Sequence, residues 1–256
     1  MANILEKYGI KEVADVTFYE IKTDGTPGKP VLYLDTLKVS TIEQTAETAD
    51  ARGGKGNPAL ISWDYGKEIN VTLEDALFSA KSMAVMFGNG VPEVGSSTEY
   101  IRKTVEFFGD DTKNAPKKVE INGKEYTFVE GNTTYPVTVY DDLGNVVDSG
   151  ATLNKEKKYY VTGFLATSEI LTIDISGNSF PGTYYVTGDT YARSFTTGKD
   201  EFFQFQIGKA KVTSENTITL EAEGDPSVFN MSLKVLRDDK GGMMKLVKYD
   251  LANPQG

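Results

Sequence analysis

Along the first third of the chain the hydrophobic pattern changes three times. The stretch KEVADVTFYEIKTDGTPGKPVLYLDTLKVSTIEQ reads as two strands around a turn, because TDGTPGKP (23–30) supplies the Gly and Pro that reversals need. A polar, glycine-rich stretch, TAETADARGGKGNP, follows and reads as a long loop ending at Pro58. Strict alternation then returns. Ile61, Trp63, Tyr65, Ile69, Val71 and Leu73 fall on one face of a predicted strand, and Ser62, Asp64, Glu68, Asn70 and Thr72 on the other. On this reading Trp63, the only tryptophan, belongs to the core. At Thr72 the period becomes helical: Leu73, Ala76, Leu77, Ala80, Met83, Ala84 and Phe87 recur at helical spacing. Thr72 and Asp75 are spaced like a capping box, and Gly88 supplies a stop, which predicts a helix of about four turns.

The rest of the chain reads as β. Asn122-Gly123 between two alternating runs predicts a hairpin, and a second is predicted around 143–145. KKYYVTGFL and EILTIDISG read as further strands. In DEFFQFQIGKAKV, Phe203, Phe205 and Ile207 oppose Gln204 and Gln206. In TITLEAE, Ile218, Leu220 and Ala222 oppose Thr217, Thr219, Glu221 and Glu223, and in VFNMSLKVL, Phe229, Met231, Leu233 and Val235 oppose Asn230, Ser232 and Lys234. Strands with one apolar and one polar face suit a sandwich, or a sheet whose polar face meets water inside an oligomer.

Composition narrows the function more than the fold. The 256 residues carry a formal net charge of -10, which opposes gripping nucleic acid or an anionic membrane. There is no Cys, so neither a disulfide framework nor thiolate chemistry is available. There is no His, which removes the Ser-His and Cys-His nucleophile pairs and the commonest zinc ligand. The first ten residues lack the pattern of a signal peptide, and no apolar run is long enough to span a bilayer, so the chain reads as made and kept in a cytoplasm. RGGKGN (52–57) lacks the Gly-Lys-Ser/Thr of a P-loop and reads as a flexible loop. The adjacent acids Asp110-Asp111, Asp141-Asp142 and Asp238-Asp239 read as solvated turn residues rather than the facing pair of a glycosidase or a calcium loop of EF-hand spacing. No catalytic residue, metal site or cofactor is expected.

Two stretches carry a resemblance. DTLKVSTIEQTAETADARGGKGNPALISWDYGKEINVTLEDALFSAKSM and GDTYARSFTTGKDEFFQFQIGKAKVTSENTITLEAEGDPSVFNMSLKVL resemble the tail tube proteins of bacteriophages, which are related to the inner tubes of contractile injection systems. With the N-terminal strand, the resemblance covers roughly two thirds of the chain. It implies a mainly β fold: two packed antiparallel sheets with one flanking α-helix, and strands that join a shared β-barrel in a ring oligomer. It divides the chain into tube core at 1–115, a small, outward-facing β insertion at 116–177, and tube core again at 178–256.

The resemblance also implies roles. Hexameric rings stack into a conduit for DNA delivery. The loop residues Glu43, Glu47, Asp50, Arg52, Gly53, Gly54, Lys55, Gly56 and Asn57 reach the neighbouring ring, being flexible in the free subunit and ordered on assembly. Ser62, Asp64, Glu68, Asn70 and Thr72, with Thr217, Thr219, Glu221 and Glu223, line the lumen. Leu73, Leu77, Ala80, Ala84 and Phe87 pack the helix on the outer side of the sheets. Partners are further copies of the chain and the baseplate or tail-tip, tape-measure and tail terminator proteins, with DNA only as passing cargo; the virion tail is assembled in the host cytoplasm. The alternatives are a virion decoration or carbohydrate-binding β-sandwich module, which needs an exposed aromatic platform, and a carboxylate hydrolase, which needs two acids facing across a cleft.

Overall fold

The computed structural model describes residues 7–10, 12–88, 99–112, 116–121, 123–129, 134, 136–148, 150–167, 172–173, 175–213 and 228–249. Its strands begin with β1 (Tyr8–Ile10), β2 (Asp15–Ile21), β3 (Pro27–Leu34), β4 (Leu37–Arg52) and β5 (Ala59–Asp75). After the helix α1 (Ala80–Phe87) come β6 (Glu99–Phe108), β7 (Lys118–Ile121), β8 (Lys124–Thr127), β9 (Thr138–Tyr140) and β10 (Lys158–Thr167). The last are β11 (Thr183–Ser194), β12 (Asp200–Val212), β13 (Phe229–Val235) and β14 (Met244–Tyr249). The protein is mainly β, its sheets are antiparallel and α1 is the single helix among the described residues, as expected. The chain forms two compact units, Met1–Pro92 with Ile173–Gly256, and Glu93–Thr172.

The first unit is built on one nine-stranded sheet. Its path is β3-β2-β11-β12-β13-β5-β4, with β1 adding to β11 and β14 to β12. The predicted alternation fixes which side is buried. Phe205 and Ile207 of β12 and Phe229, Met231, Leu233 and Val235 of β13 are buried. All of them but Phe229 join Val16, Phe18, Leu32, Leu34, Val71, Leu73 and Val186 in one core with Val85 and Met86 of α1. Each such side chain contributes about 1.5–3 kcal/mol when fully withdrawn from water. Gly188 is required here because a Cβ would lie 2.1 Å from the Phe205 ring.

The helix is shorter than its predicted span. Leu73 lies in β5, whose ladder with β13 runs on to Asp75, opposite Phe229. Asp75 then ends the strand: its buried carboxylate accepts from the Thr36 hydroxyl at 2.5 Å and from the Leu77 N–H at 3.2 Å. The helix starts four residues later, at a capping box made by Ser79 and Ser82 rather than Thr72 and Asp75. Leu77 therefore lies outside the helix and is 63% exposed. Ala84 is buried, Ala80 and Phe87 are half-buried, and Phe87 packs against the core. Gly88 is the stop, with φ 78° and its N–H donated to the Ala84 carbonyl.

The second unit holds a three-stranded sheet, β6-β10-β9, and the β7–β8 ribbon. Its core is Phe128, Val161 and Leu165, with Val105, Phe107, Tyr126, Val137 and Val139 packed around them. Ile121 opposite Lys124 leaves the two-residue connection that Asn122-Gly123 predicted, with Gly123 at φ 76°; Asn122 itself lies outside the described residues. The second predicted hairpin is present as a bridge between Tyr140 and Val146. KKYYVTGFL forms much of β10, whereas the described residues of EILTIDISG lie outside any strand.

Candidate assembly surface

The stretch read as a long loop is a strand for most of its length. Leu37–Arg52 forms sixteen residues of β4, paired with β5 along almost their whole length. Thr41, Thr45 and Thr48 favour this conformation, and the long ladder with β5 outweighs the low strand preference of the alanines and acids between them. Only residues 53–58 turn. Gly54 and Gly56 have φ of 83° and 86°, Asn57 has 50°, and the Gly53 N–H donates to the Pro58 carbonyl at 3.2 Å. Of the predicted contact residues, Glu43, Glu47, Asp50 and Arg52 therefore sit on β4, and Gly53, Gly54, Lys55, Gly56 and Asn57 at the tip.

The two ends of β5 differ. From Ile69 to Asp75 the residues alternate between buried and half-buried, whereas residues 59–68 are exposed throughout. Among the described residues, the distal parts of β4 and β5 thus form an arm paired only with each other.

A bulge separates the two parts. Thr45 pairs with Glu68 and Glu47 with Tyr65, so Gly66 and Lys67 together oppose Ala46. Gly66 has φ 61°, a left-handed conformation that a side chain disfavours. Directly opposed residues of an antiparallel pair share a side of the sheet, and residues three apart on an unbroken strand do not. Thr45 and Thr48 pair with Glu68 and Asp64, so Glu68 and Asp64 lie on opposite sides. The expectation that Ser62, Asp64, Glu68, Asn70 and Thr72 share one face is corrected accordingly. Ser62 and Asp64 lie on the side of Ile69, Val71 and Leu73; Glu68, Asn70 and Thr72 lie on the side of Ile61, Trp63 and Tyr65. Thr217, Thr219, Glu221 and Glu223 lie outside the described residues.

The arm is consequently two-sided. One side carries Ile61, Trp63 and Tyr65, opposed by Ala51, Ala49 and Glu47. These three are 56, 54 and 53% exposed, so Trp63 is not a core residue. The other side carries Ser62 and Asp64, opposed by Asp50 and Thr48. There Asp50 accepts from Ser62 Oγ at 2.8 Å and pairs with Arg52 at 2.6 Å. At the root, Glu68 pairs with Lys234 of β13 at 2.7 Å. The signal for this arrangement was in the sequence: an isolated glycine inside a strand pattern marks a bulge, and Gly66 interrupts the alternation where the sides exchange.

The adjacent acids do structural work. Asp110 accepts from the Thr112 N–H at 3.0 Å and from its hydroxyl, which hold its carboxyl below the usual range. Asp141 accepts from the Asn145 side chain and from the Asn145 and Leu143 N–H groups, with the same effect. Asp238 accepts from the N–H groups of Lys240 and Gly242 at 2.9 and 2.6 Å. Each acid closes its own turn. Among the described residues, no group of three or more acids is placed to hold a metal ion, and no helix is long and apolar enough to cross a membrane.

The described residues thus form a mainly β body with a projecting two-sided hairpin. A model of the YomU/Tube protein family matches residues 8–248, and the chain belongs to that family. The match bears out the resemblance to phage tail tube proteins and points to a structural, self-assembling component of a virion tail. No curated protein matches the chain.

Proposed function

We propose that this chain is the subunit of a phage tail tube, that six copies close into a ring through a shared β-barrel, and that the rings stack into the conduit for DNA delivery. The projecting arm is the observation that carries this reading beyond family membership. It is ordered by its own ladder, exposed along its length and rooted in the core sheet, as a subunit built to reach another subunit requires. Its tip, Gly53 to Asn57, contacts the neighbouring ring, with Glu43, Glu47, Asp50 and Arg52 along the strand leading to it.

On this reading Glu68, Asn70 and Thr72 face the lumen from the root of the arm; the other expected wall residues, Thr217, Thr219, Glu221 and Glu223, lie outside the described residues. Lys234 partners Glu68, so this part of the wall is balanced rather than purely acidic. Paired charges and neutral polar groups neither hold nor strongly repel passing phosphates. The predicted insertion at 116–177 serves as a decoration rather than as part of the tube wall. The subunit performs no catalysis. It meets baseplate or tail-tip, tape-measure and terminator proteins at the ends and axis of the tube, which is assembled in the host cytoplasm.

Negative-stain microscopy of the concentrated, purified chain tests this. Hollow tubes or six-fold rings are expected. A protein that sediments as a monomer at every concentration, alone and with tail components, overturns the reading.

A further inference from the structure

We propose that the hollow between β1, β2, β11 and β12 is a binding site for a neutral saccharide. The inference goes beyond the tube reading and does not rest on it.

The hollow measures about 550 Å³, within the range of small-ligand sites, and belongs to the first unit. One wall is aromatic. Tyr191 of β11 is opposed by Phe202 of β12, and Phe202 by Tyr249 of β14, so the three rings share the side of the sheet away from the core. Ring centroids are 5.4 Å apart between Tyr191 and Phe202, and 5.4 Å again between Phe202 and Tyr249. Tyr191 ends this row, lines the hollow and is 50% exposed. A ring braced from one side and open to solvent offers the flat apolar surface on which the C–H-bearing face of a sugar ring packs.

The polar groups suit a ligand with many hydroxyls. Asp189 lies directly opposite Asp15 of β2, a like-charge pair that costs stability unless donors reach it. Gln204 and the Tyr249 hydroxyl donate to Asp189 at 2.7 and 3.1 Å, both to Oδ1. Asp15 accepts only a long bond, 3.4 Å, from the Tyr33 hydroxyl. Oδ2 of Asp189 and the carboxylates of Asp15 and Glu12 are therefore acceptors along the hollow. Arg193 forks onto Asp200 at 2.6 and 2.8 Å, which fixes its guanidinium as a rigid donor at the same site. Among the described residues no three acids converge to hold a metal ion, so a single small cation does not answer these carboxylates. A saccharide does. Its hydroxyls are spread around a ring, each donates to a separate acceptor, and a neutral sugar adds no charge to a lining of four acids and one arginine.

The purified subunit is titrated by calorimetry with neutral hexasaccharides of glucose, in α and in β linkage, and of N-acetylglucosamine. At least one should bind with a Kd of about 1 mM or tighter, and oligogalacturonate, an anionic counterpart, more weakly than that one. Tyr191→Ala should weaken binding roughly tenfold or more and leave melting unchanged, because the ring is half exposed. Tyr191→Phe keeps the ring and should stay within about twofold of the unmodified protein. Asp189→Asn tests the acceptors without removing volume and should weaken binding severalfold. Absence of binding by all of these neutral sugars overturns the proposal. Binding that survives both Tyr191→Ala and Asp189→Asn lies elsewhere on the molecule and overturns it too. Preference for oligogalacturonate or for spermidine over every neutral sugar means that the hollow reads charge alone, with the same consequence. The unassembled subunit is measured throughout, so failure here leaves the tube reading standing, and absence of tubes leaves this site standing.

Discussion

β5 is two structures in one strand. Near its end, Val71 and Leu73 are fully buried between neighbouring strands; beyond Gly66, Trp63 and Tyr65 have the same residue character and are half exposed. The rooted part has β13 on one side, β4 on the other and the core beneath. Among the described residues, the distal part has only β4. Apolar residues at period two show that a strand is two-faced, but what covers the apolar face depends on the neighbours. Where the described residues supply none, the same pattern is left exposed.

The sharpest way to break this comparison is to truncate both halves. Leu73→Ala should cost the subunit about 2–5 kcal/mol, because it opens a cavity in the packed core. Trp63→Ala should change monomer stability by less than about 0.5 kcal/mol, the usual range for an exposed position. Urea unfolding of the two variants measures both. Similar losses mean that the arm is part of the body's core, and the division drawn here fails.

Two glycines repeat the test on the backbone. At Gly188 a Cβ meets the buried Phe205 ring at 2.1 Å, so Gly188→Ala should cost about 1–3 kcal/mol through overpacking. At Gly66 the nearest atom is Glu47 Cγ at 3.8 Å, so space is ample and only the left-handed backbone resists. Gly66→Ala should cost about 1–2 kcal/mol, local to the arm, and Gly66→Asn less, because Asn tolerates this conformation. Hydrogen exchange at β4 and β12 separates the two effects: Gly66→Ala should speed exchange in the arm alone. Faster exchange throughout β12 in that variant counts against a separable arm.

The helix gives a smaller effect of the same kind. Ser79→Ala removes the acceptor for the Ser82 N–H and should cost about 1 kcal/mol, seen as a lower melting temperature of the subunit. An unchanged melting temperature would show that tertiary packing of Val85 and Met86 alone sets where α1 begins.

Much of this was legible in the sequence where burial and pattern agree. The span of β12, the buried side of β13, the Asn122-Gly123 hairpin and the Gly88 stop follow from local chemistry. The helix start did not, because Leu73, Ala76 and Leu77 fit a helical period as well as a strand end. Only pairing with β13 and the Asp75 hydrogen bonds decide between them, and neither is local. The arm was harder still. Acids, alanines and glycines between 45 and 58 read as a loop until the partner strand is known, and Trp63 reads as core until its exposure is seen. Gly66 was the one visible sign that the faces exchange.

The smallest effect concerns the joint between the two halves. Glu68 and Lys234 sit where the bulge begins and link β5 to β13 at 2.7 Å. Their side chains are about half exposed, so water screens the attraction, and ordering two long side chains offsets part of it. A double-mutant cycle with Glu68→Gln and Lys234→Met should give a coupling of about 0.2–1 kcal/mol in the monomer, shrinking further in molar salt as the screening length falls to about 3 Å. On the proposed reading the same pair faces the water-filled lumen in the assembled tube, so the cycle repeated on the assembly concentration should give a coupling no larger than in the monomer. A clearly larger coupling in the assembled state would mean that the root of the arm is buried between copies, and would remove Glu68 from the lumen wall.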